Sequence, residues 1–257
     1  MKTRPGQFRA FIQKLMYGPY TPENYRPWLF PVRKNGKDPG VPKNTSWKHP
    51  SQRITAPQAF NRLKEVYGNV GIAGKPDDRL ILVDIDDPSI EDQLKPTLKI
   101  RSRSLTGTHA FYWAEPGDNR LPMNIPTGKG EIRSSDQYVV APGSHVPCTE
   151  EELTEKVKEE EITELQKQKV LNDPHKGFYT LDNDKEISKI TFEELPQVFQ
   201  DHVLEAEKER KKRKQEKEDY NPEPVESGDK HSALYDLSIP DLTGRGYGER
   251  DSHPAEI

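Results

Sequence analysis

The chain of 257 residues contains a single cysteine, Cys148. An intramolecular disulfide is therefore impossible, as is a cysteine-based zinc cluster within the chain, and a reducing cytoplasm is the expected setting. Apolar residues are also scarce. Hydrophobic residues make up 31% of the chain and charged residues 32%, so part of the length is expected to be solvated helix or tail rather than core. Long apolar runs are missing. The opening MKTRPGQFRAFIQKLMYG has no uninterrupted apolar stretch and does not read as a signal peptide, and no segment approaches membrane-spanning length. A P-loop is missing too. The nearest approach is Gly71-Ile-Ala-Gly-Lys-Pro, where Pro76 stands in place of the Mg²⁺-binding hydroxyl and the spacing is wrong. An ATPase is thereby excluded, although four apolar residues precede Asp84 as they would in a Walker B strand.

Net charge is only −4, but it is unevenly placed. Residues 1–75 hold 14 Lys/Arg against 3 Asp/Glu, and the remainder 25 against 40. A basic N-terminal part suggests a polyanionic partner, with chance clustering on a soluble surface as the alternative.

Residues 7–16 have mixed helical periodicity, and residues 18–53, rich in Pro, Gly, Lys and Arg, read as irregular structure. A helix is expected from Thr55, as N-cap, to about Tyr67, with Phe60, Leu63 and Val66 as its apolar stripe. Strand signals follow at 69–73, 80–85, 99–104, 108–113, 130–133 and 137–141, with residues 74–78 as a hairpin-like turn. Residues 69–145 thus read as one mostly antiparallel sheet with short helical insertions such as 89–94. Beyond Cys148 the texture changes. Residues 149–170 are acidic without a wide apolar stripe, and 171–190 read as loop with a short strand at 178–181. Residues 192–218 read as a helix ending in a solvated charge run, and 219–230 as a linker.

The segment with the sharpest chemistry is LILVDIDD, residues 80–87. Side chains alternate along a strand, so Asp84 and Asp86 share a face with Leu82, while Ile81, Val83 and Ile85 face the core. Two carboxylates on one face, about 7 Å apart along the strand, can share or bracket hard cations. The other reading is a strand that ends in a polar turn, with Asp87 as a helix cap. His109 follows a glycine turn at the start of an aromatic strand, where it would either donate to a phosphate or simply pack. Glu131 and Arg133 alternate on Gly130-Glu-Ile-Arg, either adding to the same site or forming a cross-strand ion pair.

VDIDD (83–87), SLTGTHAFYW (104–113) and GEIRSSDQYVVAPGS (130–144) together resemble motifs I, II and III of the bifunctional DNA primase–polymerase (prim-pol) domain of the archaeo-eukaryotic primase superfamily. The leading NVGIAGKPDDRLILVDID and the upstream KNGKDPGVPKNTSW are also similar to it, and the resemblance covers roughly residues 28–146. It implies an α+β fold: an RRM-like, mostly antiparallel sheet joined to an N-terminal α/β unit, with the active site in the cleft between them. It implies metal ligands at Asp84, Asp86 and Glu131, the last where many members carry aspartate, and His109 against the triphosphate. Mg²⁺ or Mn²⁺ in a two-metal site, a single-stranded DNA template and an NTP or dNTP follow. Arg101, Arg103, Lys129 and Arg133 are the candidate nucleotide contacts. Arg33, Lys34, Lys37, Lys43 and Lys48 are candidates for the template phosphates, and Trp28 or Trp47 would stack on a base or pack in the core.

The expected organisation is a catalytic domain at 1–148 with its motif core at 69–146, a charged helical extension at 149–218, and a linker and tail at 219–257. The chain stops without a recognisable terminal element, as a shortened version of a longer relative would. Two functions remain: a primase–polymerase serving a plasmid, virus or integrated element, with any replicative helicase encoded separately, or a non-catalytic single-stranded-nucleic-acid-binding protein that keeps the fold. A metal-dependent nuclease is a weaker third.

Overall fold

The computed structural model describes residues 4–64, 68–118, 120–121 and 123–219. The chain divides into two units, Met1–Lys212 and Arg213–Ile257. Everything that builds the site lies in the first, which is α+β.

Its first helix, α1 (Arg4–Tyr17), buries Phe8, Phe11, Ile12 and Leu15, the i, i+3, i+4, i+7 spacing of a helix with one apolar face. The second, α2 (Ala56–Lys64), starts at a capping box: Gln58 Nα lies 3.4 Å from Thr55 Oγ1, and Gln58 Oε1 accepts from Thr55 Nα at 2.8 Å. Leu63 is buried and Phe60 partly so, as the apolar stripe requires; Val66 lies outside the described residues.

The expected single sheet is two sheets. A three-stranded antiparallel sheet has the order β1-β2-β8, from β1 (Trp28–Val32), β2 (Asn69–Ala73) and β8 (Tyr138–Val140). The larger sheet has the order β6-β7-β3-β5-β4-β9. Its strands are β3 (Leu80–Ile85), β4 (Lys99–Arg101), β5 (Thr108–Ala114), β6 (Ile125–Thr127), β7 (Gly130–Ile132) and β9 (Thr180–Leu181), with β10 (Ser188–Ile190) joined to β5 as the one parallel pair among the described residues. Residues 74–78 are therefore not the turn of a hairpin between β2 and β3. Both strands are buried along their whole length, and burial on both faces and both edges is more than a two-stranded hairpin supplies.

Two strands were hidden by proline. Pro31 in β1 and Pro126 in β6 lie on strands that end their sheets, where an absent N–H costs no ladder bond. Packing also constrains β2. Gly71 is paired with Phe30, whose ring occupies the space that a Cβ at position 71 would fill.

The larger sheet is covered on both faces. Leu80, Leu82, Phe111 and Trp113 face a core shared with α1 and α2, and Phe11 meets Phe111 edge-on at 5.0 Å. Ile81, Val83, Ile85 and Tyr112 face a second core with Phe192 and Phe199. The Leu82 face is thus apolar core rather than solvent, and Asp84 follows on it, with Asp86 just beyond the end of the strand.

Two short helices, the acidic α3 (Glu150–Lys158) and α4 (Glu164–Asn172), both start at capping boxes, from Thr149 and Thr163. Between them lies a small cluster of Cys148, Leu153, Ile162 and Val170. The helix expected from Phe192 is broken in two. Residues 192–194 form a 3-10 turn, and α5 (Gln197–Asp219) begins only after Pro196, because a residue preceding proline is pushed out of the helical region. No helix among the described residues is long and apolar enough to cross a membrane.

Candidate active site

A cleft of about 420 Å³ opens between the two sheets. One wall is Tyr138, Val139 and Val140 of β8. The other is the end of β3 with Asp84 and Asp86, the β4–β5 turn, His109 and Arg133. Lys37 from the loop after β1, Lys156 from α3 and Tyr179 complete it.

Register explains the centre. Asp84 stands opposite His109 on β5 and opposite Glu131 on β7. Directly opposed residues of an antiparallel pair share a face and lie within side-chain reach. Gly130 lets β7 approach: it adopts φ +151°, and a Cβ there would overlap the Asp84 carbonyl oxygen.

An imidazole and a guanidinium flank Asp84. His109 Nε2 lies 3.2 Å from Oδ1, and Arg133 Nη2 lies 3.1 Å from Oδ2. The same guanidinium donates from Nε to Glu131 Oε2 at 2.8 Å. Burial works to raise the Asp84 pKa; the charges of His109, Arg133 and Lys37 overcome it and hold the carboxyl down at about 2. Asp86, exposed at the mouth, is shifted the other way by the protein crowded around it and then by the Asp84 charge. Lys37 is lowered by the same crowding and by Arg103. His109 is 6% exposed and its Nδ1 has no hydrogen-bond partner. Its ring leans on that of Tyr179, 5.5 Å away.

The β4–β5 turn supplies hydroxyls and one more guanidinium. Ser102, Ser104 and Thr106 line the cleft, and their hydroxyls interact along the turn. Leu105 is held at φ +59°, a conformation that costs a leucine of order 1 kcal/mol and that tends to occur at functional sites. Arg103 is gripped from outside by Glu152, at 2.7 and 3.0 Å, and by the Pro147 carbonyl.

Of the residues singled out from sequence, Asp84, Asp86, His109, Arg133, Arg103 and Lys37 share the cleft. Glu131 stands beside it, engaged with Arg133. Arg101 does not line it, being held by Glu91 and Asp182. Lys129 is exposed and paired with Asp87 at 3.4 Å. Arg33, Lys34, Lys43 and Lys48 are exposed and lie outside the cleft lining. Trp47 stacks on Phe30 at 4.8 Å and Trp28 packs against the same cluster, both partly buried. Lys156 and Tyr179 were not foreseen, since no motif or spacing links residues so far along the chain to Asp84.

Among the described residues, no group of three or more His, Cys, Asp and Glu side chains converges as a metal cage. The donor chemistry nonetheless fits a hard cation. Asp84 and Asp86 offer carboxylate oxygens to one cleft, and the Arg133 guanidinium between Asp84 and Glu131 marks a position that calls for positive charge.

No curated protein matches the chain. A family model described as bifunctional DNA primase/polymerase, N-terminal, matches residues 20–167. The match takes in the three-stranded sheet, the acidic strand and the whole lining of the cleft except Tyr179. Extending over more than half of the sequence, it makes this chain a member of the bifunctional DNA primase/polymerase (Prim-Pol) N-terminal family.

Proposed function

We propose that the chain is a metal-dependent nucleotidyltransferase that makes or extends primers on single-stranded DNA, working in the cleft between the two sheets. The observation that carries this reading is that Asp84, on β3, and Asp86, just beyond its end, line one cleft together with Lys37, Arg103, Arg133 and Lys156. Carboxylates and cations lining one cleft suit a polyphosphate brought in with divalent ions.

Asp84 and Asp86 would hold Mg²⁺ or Mn²⁺, with Glu131, opposite Asp84 in the ladder, as the third carboxylate. When bound, two such ions lower the pKa of a primer 3′-hydroxyl and stabilise the charge on the transferring phosphoryl group and the pyrophosphate. His109 would donate to a phosphate oxygen of an incoming NTP or dNTP. Arg133, Arg103, Lys37 and Lys156 would neutralise the triphosphate, and the β4–β5 turn hydroxyls would orient it. Arg101 and Lys129 stay as family-derived candidates. The exposed Arg33, Lys34, Lys43 and Lys48 would follow the template backbone.

In this reading the catalytic domain is residues 1–148, with β3 to β7 as its RRM-like half; residues 149–218 are a charged helical extension that also adds β9 and β10 to that sheet, and 219–257 are a linker and tail. The setting would be replication initiation of a plasmid, virus or integrated element in the cytoplasm, with any helicase on a separate chain.

Primer synthesis and extension on single-stranded DNA, with Mg²⁺ or Mn²⁺, tests the proposal. Wild type should form product and Asp84→Ala/Asp86→Ala should not. No product from either, with DNA binding retained, would favour a non-catalytic single-stranded-DNA-binding protein, and loss of template would reveal a nuclease.

A further inference from the structure

The α1–α2 surface carries a second, chemically different groove. Phe8, Ile12 and Met16 of α1 and Ala56, Pro57 and Phe60 of α2 line a depression of about 460 Å³. It runs into another of about 440 Å³, which shares Met16, Ala56 and Pro57 and adds Ile54. Tyr17, 78% exposed, stands at the edge. Among the described residues no carboxylate lines either part, whereas Arg9 and Lys64 flank the first and Arg26 and Arg53 the second. All four cations are exposed, and none of them is ion-paired among the described residues. An apolar depression edged by cations that no carboxylate among the described residues neutralises is the complement of an amphipathic acidic segment.

We infer that this groove is a protein-docking surface, and that its occupant is an acidic amphipathic segment of a partner protein. Aliphatic side chains would fill the floor and carboxylates would meet Arg9, Lys64, Arg26 and Arg53. Nucleic acid fits less well. The floor is mainly aliphatic, and the Phe60 ring that a base would stack on is already covered by the Arg9 guanidinium at 4.6 Å and the Lys64 ammonium at 4.7 Å. The groove shares no lining residue with the cleft, so a partner held here leaves the catalytic cleft open. Part of the positive balance of the N-terminal region then serves a protein rather than DNA.

Fluorescence anisotropy on the full chain tests this with three probes: a labelled amphipathic peptide of leucines and glutamates, the same peptide with lysines for glutamates, and labelled oligothymidylate. The glutamate peptide should bind at least about tenfold more tightly than the lysine peptide, and added salt should weaken it. In Arg9→Glu/Lys64→Glu, whose changes are on exposed side chains, that affinity should fall by about tenfold or more while primer synthesis stays as in the wild type and the circular dichroism spectrum is retained. Hydrogen exchange should slow in α1 and α2 when the glutamate peptide is added. No binding of the glutamate peptide, equal binding of both peptides, an unchanged affinity in the variant, or loss of oligothymidylate binding in place of peptide binding each overturns the inference.

Discussion

His109 and Asp84 face each other across the β3–β5 ladder, with Nε2 3.2 Å from Oδ1. To donate there, the imidazole must carry its proton on Nε2. Its other nitrogen is buried without a partner, so Asp84 is the group that fixes the ring. The dependence runs both ways, because the His109 charge is the strongest of those holding the Asp84 carboxyl near 2.

Acid stability should report this pairing. An Asp84 carboxyl lowered from 3.8 to about 2 contributes about 2 kcal/mol. The sign follows from the depression: the contribution is complete above about pH 4 and disappears as pH falls through about 2. Urea unfolding should therefore find Asp84→Asn less stable than wild type by about 2 kcal/mol at pH 7, with the gap closing toward pH 2. A gap of constant size across that range would contradict the assignment.

Asp78 should behave in the opposite sense. Burial raises its pKa from 3.8 to about 6, against hydrogen bonds from the Leu80 and Lys75 amides. The folded state therefore favours the protonated acid, and stability declines as pH rises from about 4 through 6. Asp78→Asn keeps an oxygen for both amides and removes the charge. It should stabilise the protein at pH 7 by about 1–2 kcal/mol and flatten the pH dependence between 4 and 6. Thermal melts at pH 4 and pH 7 check this: the two proteins should nearly coincide at the lower pH and separate at the higher.

Gly71 and Phe30 should be coupled. A methyl group at position 71 has no space beside the Phe30 ring, so Gly71→Ala is expected to cost about 1–3 kcal/mol through overpacking. Phe30→Leu, destabilising alone, should recover part of that loss in the double variant. A double-mutant cycle by chemical denaturation measures the coupling, and additive losses would rule out the clash as the cause.

How far the sequence revealed this fold depended on whether the signal was local. The alternation in LILVDI matches the burial of β3, whose Leu80 and Leu82 share one core and Ile81, Val83 and Ile85 the other, because a strand's period of 2 is a property of the backbone itself; Asp86 lies one residue past the strand and still lines the cleft with Asp84. Which strands pair is not local, and β2 and β8 were assigned to the wrong sheet. Arg101 and Arg103 both fall in the strand expected at 99–104 and were both candidate nucleotide contacts, but β4 ends at Arg101. Arg103 lies in the turn beyond, where alternation no longer governs direction, and the two side chains part company. Lys156 and Tyr179 reach the cleft from segments brought back only by tertiary packing.

Glu131 presents the sharpest choice about the site. It touches Arg133, and Arg133 touches Asp84, so Glu131 acts either as a carboxylate for the metal or as the anchor of a guanidinium. These roles separate in kinetics. A carboxylate that holds the ion sets the metal concentration needed for half-maximal rate; an anchor for Arg133 sets the nucleotide KM instead. We expect Glu131→Gln to raise the Mn²⁺ requirement of primer extension by about tenfold or more, with a smaller change in nucleotide KM. Glu131→Asp keeps the carboxylate and should recover much of the metal affinity, while Arg133→Lys should move the nucleotide KM and leave the metal requirement nearly unchanged. Titrations of Mn²⁺ at saturating nucleotide, and of nucleotide at saturating Mn²⁺, give both quantities for each variant. If Glu131→Gln shifts only the nucleotide KM, Glu131 is the anchor, and the metal set reduces to Asp84 and Asp86.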